Sequence, residues 1–232
     1  MTDLELLAPA KNIEIGIAAI DCGADAVYIA GPAFGARQAA GNSMDDLAAL
    51  CRYAHKFGAR VFMTLNTILF DDELDEAYSL MCQAEYAGID AIIVQDLSVM
   101  RMADGGPDGN GRRLGIPLHA STQCAIRDSE KALFYKQLGF SRLVLERELS
   151  LTDIRKIREA TGCEIEFFVH GALCVCYSGQ CYISECISGR SANRGECIQA
   201  CRSLYNLVDS STGKVLVRNK ALLSLKDYNL LG

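Results

Sequence analysis

The residues with the clearest chemical potential are cysteines gathered in one short stretch. The chain has 11 cysteines, and seven of them lie between Cys163 and Cys201. Cysteines that only fill a core would be spread more evenly along the chain. Two pairs, Cys174 with Cys181 and Cys197 with Cys201, supply four thiols. Four thiolates are the ligand set of an iron–sulfur cluster or a zinc ion.

The spacing within these pairs favours iron–sulfur over zinc. Zinc sites usually separate paired cysteines by roughly two to four residues, whereas six residues separate Cys174 from Cys181. Cys197 and Cys201 are four positions apart, so one helical turn would place both thiols on one face. A [4Fe–4S] cluster is the predicted cofactor. The alternatives are a reduced loop without metal and a thiol nucleophile paired with His170.

The elements that must position these cysteines alternate between short apolar strands and helices. The predicted strands are residues 4–8, 25–30, 60–65, 91–95, 117–120, 142–145 and 164–169. Four helices end at a glycine that leads into the next strand, namely Gly23, Gly58, Gly88 and Gly139. This regularity predicts an α/β fold of the (β/α) TIM-barrel type. The barrel lacks a clear eighth strand and would be incomplete or truncated at its C-terminal end.

Three regions are predicted along the chain. Residues 1–171 form the barrel core, and residues 172–203, here called the cysteine segment, follow strand seven and bind the cluster. Residues 204–232 form a hairpin and a final strand at 222–225, which completes or precedes closure of the barrel. The cysteine segment leaves the C-terminal end of a strand, which is the face where barrel enzymes build their active sites.

Composition excludes several classes of protein. Half of the 232 residues are hydrophobic and 22% are charged, which rules out a disordered chain. The net charge of −6 argues against a generally basic nucleic-acid-binding surface, although a local basic patch can still bind RNA. No stretch is long and apolar enough to span a membrane, and the N-terminus lacks a signal-peptide pattern. We therefore expect a cytoplasmic protein without a membrane partner; a homo-oligomer remains open.

Polar residues follow the predicted strands, and a barrel gathers such positions around one mouth. The candidates for catalysis are Asp96, His119 and His170. The candidates for substrate binding are Arg37, Asn66, Gln123, Arg147 and Arg194. Arg37 and Arg147 suit bidentate contacts with carboxylates, and Arg194 suits RNA phosphates. For each residue alone, a hydrogen bond or ion pair that closes a loop is an equal alternative.

Several longer motifs resemble one known family along the whole chain. They include LLAPA at 6–10, GADAVYIAGPAFGAR at 23–37, LHASTQC at 118–124, GALC at 171–174 and GRSANRGEC at 189–197. These motifs resemble the collagenase-like peptidase family of unassigned catalytic type. Within that family they are most similar to the bacterial enzymes that form 5-hydroxycytidine in 23S rRNA. The resemblance implies a barrel-like fold, a cysteine-bound [4Fe–4S] cluster and, for the RNA enzymes, prephenate as a co-substrate.

The same resemblance implies specific ligands and a specific reaction. The cluster ligands would be Cys174, Cys181, Cys197 and Cys201, with Cys176 and Cys186 as additional thiols. The implied activity is hydroxylation of a cytidine, with 23S rRNA or its precursor as the macromolecular partner. The alternatives are a peptidase, as the family label says, and a cluster-bearing subunit that requires a partner.

Overall fold

A computed structural model describes residues 4–36, 41–171, 173–223 and 228–229, and its centre is a curled parallel sheet. The strands follow one another around the sheet in chain order. They are β1 (Leu7–Ala10), β2 (Ala26–Ala30), β3 (Arg60–Leu65), β4 (Ala91–Val94), β5 (Leu118–Ala120), β6 (Arg142–Val144) and β7 (Glu164–Glu166). Every neighbouring pair is parallel. This is the wall of a (β/α) barrel, so the predicted fold class is confirmed.

Helices connect successive strands. The helices are α1 (Ile13–Asp21), α2 (Met44–Ala54), α3 (Leu74–Ala87), α4 (Ser98–Ala103), α5 (Ser129–Gln137) and α6 (Leu151–Thr161). Of these, α1, α2, α5 and α6 begin at a residue whose side chain caps them. Ser43 and Asp46 form a reciprocal capping box at the start of α2. Gly88 ends α3 with a φ of +86°, a conformation that costs glycine little. The other three glycines predicted to end helices also have positive φ.

The sheet has apolar side chains on both faces. On the outer face, Val27, Val61 and Ile92 pack with the helices in the main core. On the inner face, Phe62 and Ile93 belong to a second, smaller cluster. Successive residues of one strand therefore pack into different apolar clusters. This is why the strands appear in the sequence as continuous apolar runs.

Charged side chains occupy the inner face where the strands begin. Arg142, the first residue of β6, has a side chain that is only 7% exposed. Its guanidinium lies 2.8 Å from Glu5, 2.6 Å from Glu164 and 3.6 Å from Glu166. Glu5 precedes β1 and the other two carboxylates belong to β7, so Arg142 connects the two outermost strands of the sheet.

The chain after β7 is irregular and contains small elements. They are β8 (His170–Gly171), α7 (Ile183–Ser188), β9 (Tyr205–Val208), β10 (Val215–Lys220) and β11 (Tyr228–Asn229). β9 and β10 pair antiparallel, which confirms the predicted hairpin, and β11 pairs antiparallel with β8. The candidate eighth strand at 222–225 extends outside the described residues, and the division into three regions stays a prediction. Within the described parts of the chain, no helix is long and apolar enough to cross a membrane.

Candidate functional site

Two predicted site residues tie the loops of the barrel mouth together. Asn66 follows β3 directly and donates a hydrogen bond to the hydroxyl oxygen of Ser121 at 3.3 Å. Asp96 follows β4 and accepts hydrogen bonds from the backbone N–H groups of Leu69 at 3.0 Å and Ser98 at 2.9 Å. Both residues therefore lie at the mouth, and backbone donors engage both carboxylate oxygens of Asp96. A catalytic role for Asp96 stays a prediction.

A tight turn of the cysteine segment sits directly on this mouth. Gly179 has a φ of +74°, and a Cβ added to it would lie 2.0 Å from the backbone oxygen of Gln123. The same Cβ would lie 3.0 Å from Nε2 of Gln95, which follows β4. Glycine is thus required for both its backbone conformation and its lack of a side chain. The turn brings the predicted residue Gln123 against the cysteine segment through its backbone.

One ionisable group at the mouth, Glu146, which lies two residues after β6, is unusual. Its side chain is completely buried, and Oε1 accepts a hydrogen bond from the backbone N–H of Ser178 at 3.2 Å. Oε2 has no hydrogen-bond partner among the described residues. Burial, followed by the charge of Glu148, raises the pKa of Glu146 to about 7. A carboxyl group with such a pKa can take up or release a proton near neutral pH.

Arg147 joins the end of β6 to the first predicted cluster ligand. Its Nη1 lies 3.9 Å from Sγ of Cys174. Its guanidinium also stacks on Phe168, with the central carbon 4.2 Å from the ring centroid. These contacts join the end of β6 to the cysteine segment. The predicted role of Arg147 in substrate binding stays open.

The four thiols predicted as ligands influence one another electrostatically. Burial raises the pKa of Cys201, and the thiols of Cys174, Cys197 and Cys181 raise it further. Among the described residues, however, no group of three or more histidine, cysteine or acidic side chains has a metal-binding arrangement. The four thiols therefore come from one neighbourhood without forming a closed metal site.

Hydrogen bonds distinguish the predicted ligands from an extra thiol. Sγ of Cys197 accepts from the backbone N–H of Gln199 at 3.4 Å and from the hydroxyl of Ser184 at 4.0 Å. Sγ of Cys176 instead donates to the carbonyl oxygen of Gln180 at 3.4 Å, and burial raises its pKa. Donors directed at sulfur are typical of cluster ligands, whereas a donating thiol is protonated. Cys197 thus has the surroundings of a cluster ligand and Cys176 does not, while the full set of four ligands stays a prediction.

The predicted helical turn that would join Cys197 and Cys201 is wrong. Gln199 has a φ of +55°, which interrupts any helix between the two cysteines, and a short 3₁₀ turn covers only Ala200–Arg202. The thiol of Cys197 nevertheless lies close enough to Cys201 to raise the pKa of Cys201. The pairing of these cysteines could be predicted from their spacing, but the backbone conformation could not.

Arg194, which was predicted to contact RNA phosphates, pairs instead with groups of the chain itself. Its guanidinium forms a bidentate ion pair with Glu73 and donates to the carbonyl oxygen of Ile68 at 2.7 Å. The hydrogen bonds from Arg194 hold the pKa of Glu73 below its usual range. Arg194 also stacks on Phe70 at 4.1 Å. These contacts correspond to the loop-closing alternative and fasten the cysteine segment to the loop after β3.

The two predicted histidines do not meet at the mouth. His119 is 4% exposed on the inner face, where its ring contacts Phe62 edge-on at 4.9 Å. It pairs across the sheet with Arg142, the first residue of β6, so it lies at the level of the strand starts. Burial, and then Arg142, lower the pKa of His119 to about 3. His170 is exposed in β8, and Arg37 lies outside the described residues.

From the sequence, Glu146 could be anticipated at the mouth because it directly follows a predicted strand, but the group around Arg142 was missed. The Glu-Ile-Glu pattern of β7 was a second signal, since alternating charges within a strand indicate a polar inner face. Reading β7 as a continuous apolar strand concealed this pattern.

The chain is similar to curated proteins that are named as RNA-modifying enzymes and as a collagenase. It is 54% identical over 224 residues to the 23S rRNA 5-hydroxycytidine C2501 synthase of Escherichia coli (strain K12), covering 97% of this chain and 33% of that protein. It is 36% identical to tRNA hydroxylation protein P1 of Bacillus subtilis (strain 168), covering 88% of this chain and 47% of that protein. It is 34% identical to a collagenase of Porphyromonas gingivalis, covering 100% of this chain and 57% of that protein.

The chain thus spans between 33% and 57% of the length of these relatives. Among solved structures, it is similar to the U32 peptidase Mk0906, with a TM-score of 0.60 and 14% identity over 75% of this chain and 71% of that one. It also resembles thiamine phosphate pyrophosphorylase from Pyrococcus furiosus, with a TM-score of 0.50 and 15% identity over 74% of this chain and 77% of that one. Both likenesses concern the fold alone. The family model described as Peptidase family U32 matches residues 11–232, and the chain therefore belongs to this family.

Proposed function

We propose that this chain takes part in RNA hydroxylation and forms 5-hydroxycytidine in 23S rRNA or its precursor. The observation that carries the proposal is the 54% identity to the rRNA 5-hydroxycytidine synthase, which extends over 97% of the chain. The similarity to tRNA hydroxylation proteins supports hydroxylation of an RNA base as the broader class of reaction. The name of each relative describes that relative only, so the assignment to this chain requires a direct test.

The proposed cofactor is a [4Fe–4S] cluster held by Cys174, Cys181, Cys197 and Cys201. When bound, the cluster would supply redox chemistry at the barrel mouth. The chain itself provides the backbone N–H of Gln199, which donates to Sγ of Cys197, and the charge of Arg147 near Cys174. Both contacts stabilise negative charge on sulfur.

The barrel mouth supplies the polar groups that a substrate would meet. Glu146 is buried there with a pKa of about 7, so it can hold or release a proton beneath the cysteine segment. We further propose prephenate as co-substrate, because its carboxylates suit an arginine of the mouth. Arg147 is the described candidate for this contact, and Arg37 is the second predicted one.

The test replaces the matching 224 residues of the Escherichia coli relative with this chain, in a strain that lacks the native synthase. Mass spectrometry of 23S rRNA should then find a cytidine with one added oxygen atom. The Cys197→Ser chimera should lose both its iron and the modification. Unmodified rRNA from a soluble, iron-loaded chimera would reject the proposed function. Modification that survives the loss of iron would reject the cluster as its redox agent.

A peptidase is the second candidate, because the collagenase of Porphyromonas gingivalis matches 100% of this chain. The test is incubation of the anaerobically purified chain, with and without iron, with a fluorogenic collagen-like peptide. RNA hydroxylation predicts no cleavage in either state. Cleavage that Cys197→Ser leaves intact would favour the peptidase.

A further inference from the structure

We propose that Arg127 and Tyr177 form a stacking platform for one unpaired nucleobase of RNA at the barrel mouth. This inference rests on the proposed function, which it deepens by naming a contact for the substrate. The guanidinium carbon of Arg127 lies 3.6 Å from the centroid of the Tyr177 ring, so the two planar groups are in direct contact. Tyr177 remains 48% exposed beside this arginine. Part of its surface is therefore accessible to another planar group.

The platform lies at the mouth because Glu146 forms hydrogen bonds with the chain neighbours of Tyr177 and Arg127. Ser178, which follows Tyr177, donates its backbone N–H to the Glu146 carboxylate at 3.2 Å. Ile126, which precedes Arg127, accepts a hydrogen bond from the backbone N–H of Glu146 at 3.4 Å. The platform is thus anchored beside the end of β6, at the barrel mouth.

The charge of Arg127 is available to a ligand. In the described parts of the chain, no carboxylate lies within ion-pair distance of its guanidinium. The adjacent Asp128 instead caps α5 by accepting a hydrogen bond from the backbone N–H of Lys131 at 2.8 Å. Arg194 offers a contrast, because it also stacks on an aromatic ring but is neutralised by Glu73.

A cationic and aromatic pair of this kind matches the chemistry of single-stranded RNA. Nucleobases stack on aromatic rings and on guanidinium planes, and a nearby phosphate completes the charge pairing. An enzyme that modifies a base must also remove it from its helical stack, which costs stacking energy. A stacking platform beside the site compensates for this lost stacking, by contacting either the target base or the base next to it.

The test measures the affinity of the anaerobically purified chain for a short fluorescein-labelled oligocytidine by fluorescence anisotropy. Tyr177→Ala should weaken binding about 5- to 100-fold, as expected for the loss of one stacked base. Tyr177→Phe keeps the ring and should stay within about twofold of the wild type. Arg127→Gln should weaken binding and make the affinity less sensitive to salt concentration, by the amount expected for the loss of about one phosphate contact.

Tyr86→Ala serves as the matched control, because Tyr86 is 95% exposed near the end of α3 that leads into β4. It should leave RNA affinity unchanged, and iron content and melting temperature verify that each variant is folded. Wild-type affinity in Tyr177→Ala would overturn the platform, as would a wild-type chain that binds no oligocytidine. An equal loss of affinity for a duplex RNA would also overturn it, because a duplex offers no unpaired base.

The chimera experiment separates this inference from the proposed function. If the chimera forms 5-hydroxycytidine while Tyr177→Ala retains full RNA affinity, the platform is rejected and the function stands. If the chimera forms none while Tyr177→Ala loses RNA affinity, the platform stands as an RNA contact and the proposed reaction is rejected.

Discussion

The backbone N–H of Ser178 lies 3.2 Å from the carboxylate of Glu146 and donates a hydrogen bond to it. Glu146 is completely buried at the end of β6, so this bond fixes a turn of the cysteine segment to the barrel wall. Gly179, the next residue, contacts the loop after β5. The geometry of the proposed cluster site therefore depends on how closely this turn approaches the mouth.

Gly179→Ala should displace the cysteine segment from the barrel. The new methyl group would lie 2.0 Å from a backbone oxygen of Gln123, so one of the two backbone segments must shift. We expect a loss of bound iron after anaerobic purification and a lower melting temperature. Gly189→Ala is the control, since Gly189 has a similar φ of +71° but nothing within 4 Å of an added Cβ. It should cost only about 1–2 kcal/mol of backbone strain. Equal effects of the two variants would contradict the contact as the cause.

Two cysteine variants should separate a cluster ligand from its neighbour. Cys201→Ser should abolish iron binding, because the thiol of Cys201 lies within the electrostatic reach of three other predicted ligands. Cys176→Ser should retain iron, because the Cys176 thiol donates a hydrogen bond to Gln180, which serine can also form. Iron and sulfide analysis of both purified variants measures whether each still binds the cluster. Full iron in Cys201→Ser with none in Cys176→Ser would reverse the assignment of ligands.

The barrel wall could be predicted from the sequence because its signal is local and repeated. The predicted strand at 60–65 matches β3 at both ends, and the other six strands begin or end within three residues of their predicted positions. The glycine that ends each helix is also a local signal, since a left-handed residue needs no distant partner. Asn66 and Asp96 could be anticipated at the mouth because they directly follow predicted strands, and their functional roles stay predictions.

The interior of the barrel could not be predicted in detail, because it depends on contacts between distant strands. His119 was expected at the mouth, but its position in β5 points its ring to the inner face near Phe62. The ion pair of Arg142 with Glu5 joins residues 137 positions apart. No local pattern identifies such partners, because they meet only when the sheet curls.

Arg142→Met should strongly destabilise the fold. The variant would leave Glu5, Glu164 and Glu166 on the inner face without their shared counter-charge, and removing one member of a buried ion pair costs about 3–5 kcal/mol. Chemical denaturation monitored by circular dichroism measures the loss. The control is Arg113→Met, because Arg113 is 83% exposed in its pair with Asp104 and should cost about 0–1 kcal/mol. A similar small cost at Arg142 would show that the buried network contributes little to stability.

Glu166 should make the stability of the protein fall as pH rises through the weakly acidic range. Burial, only partly offset by Arg142, raises the pKa of Glu166 from 4.5 to about 7. Between these two values the unfolded chain has released the proton while the folded chain still holds it. The unfolded state then binds fewer protons, so the free energy of unfolding decreases with increasing pH. Below pH 4.5 the effect is absent, and above pH 7 it is complete.

Glu166→Gln removes this titration. The free energy of unfolding of the variant should therefore exceed that of the wild type by a margin that grows from pH 4.5 to pH 7. The shift corresponds to at most about 3 kcal/mol. Urea denaturation at several pH values measures the difference, and groups that titrate equally in both proteins, including His119, cancel from it. Glu159→Gln, a glutamate-to-glutamine substitution on the exposed side of α6, is the matched control. A constant difference for Glu166→Gln would contradict the raised pKa and indicate that Arg142 keeps the carboxylate ionised.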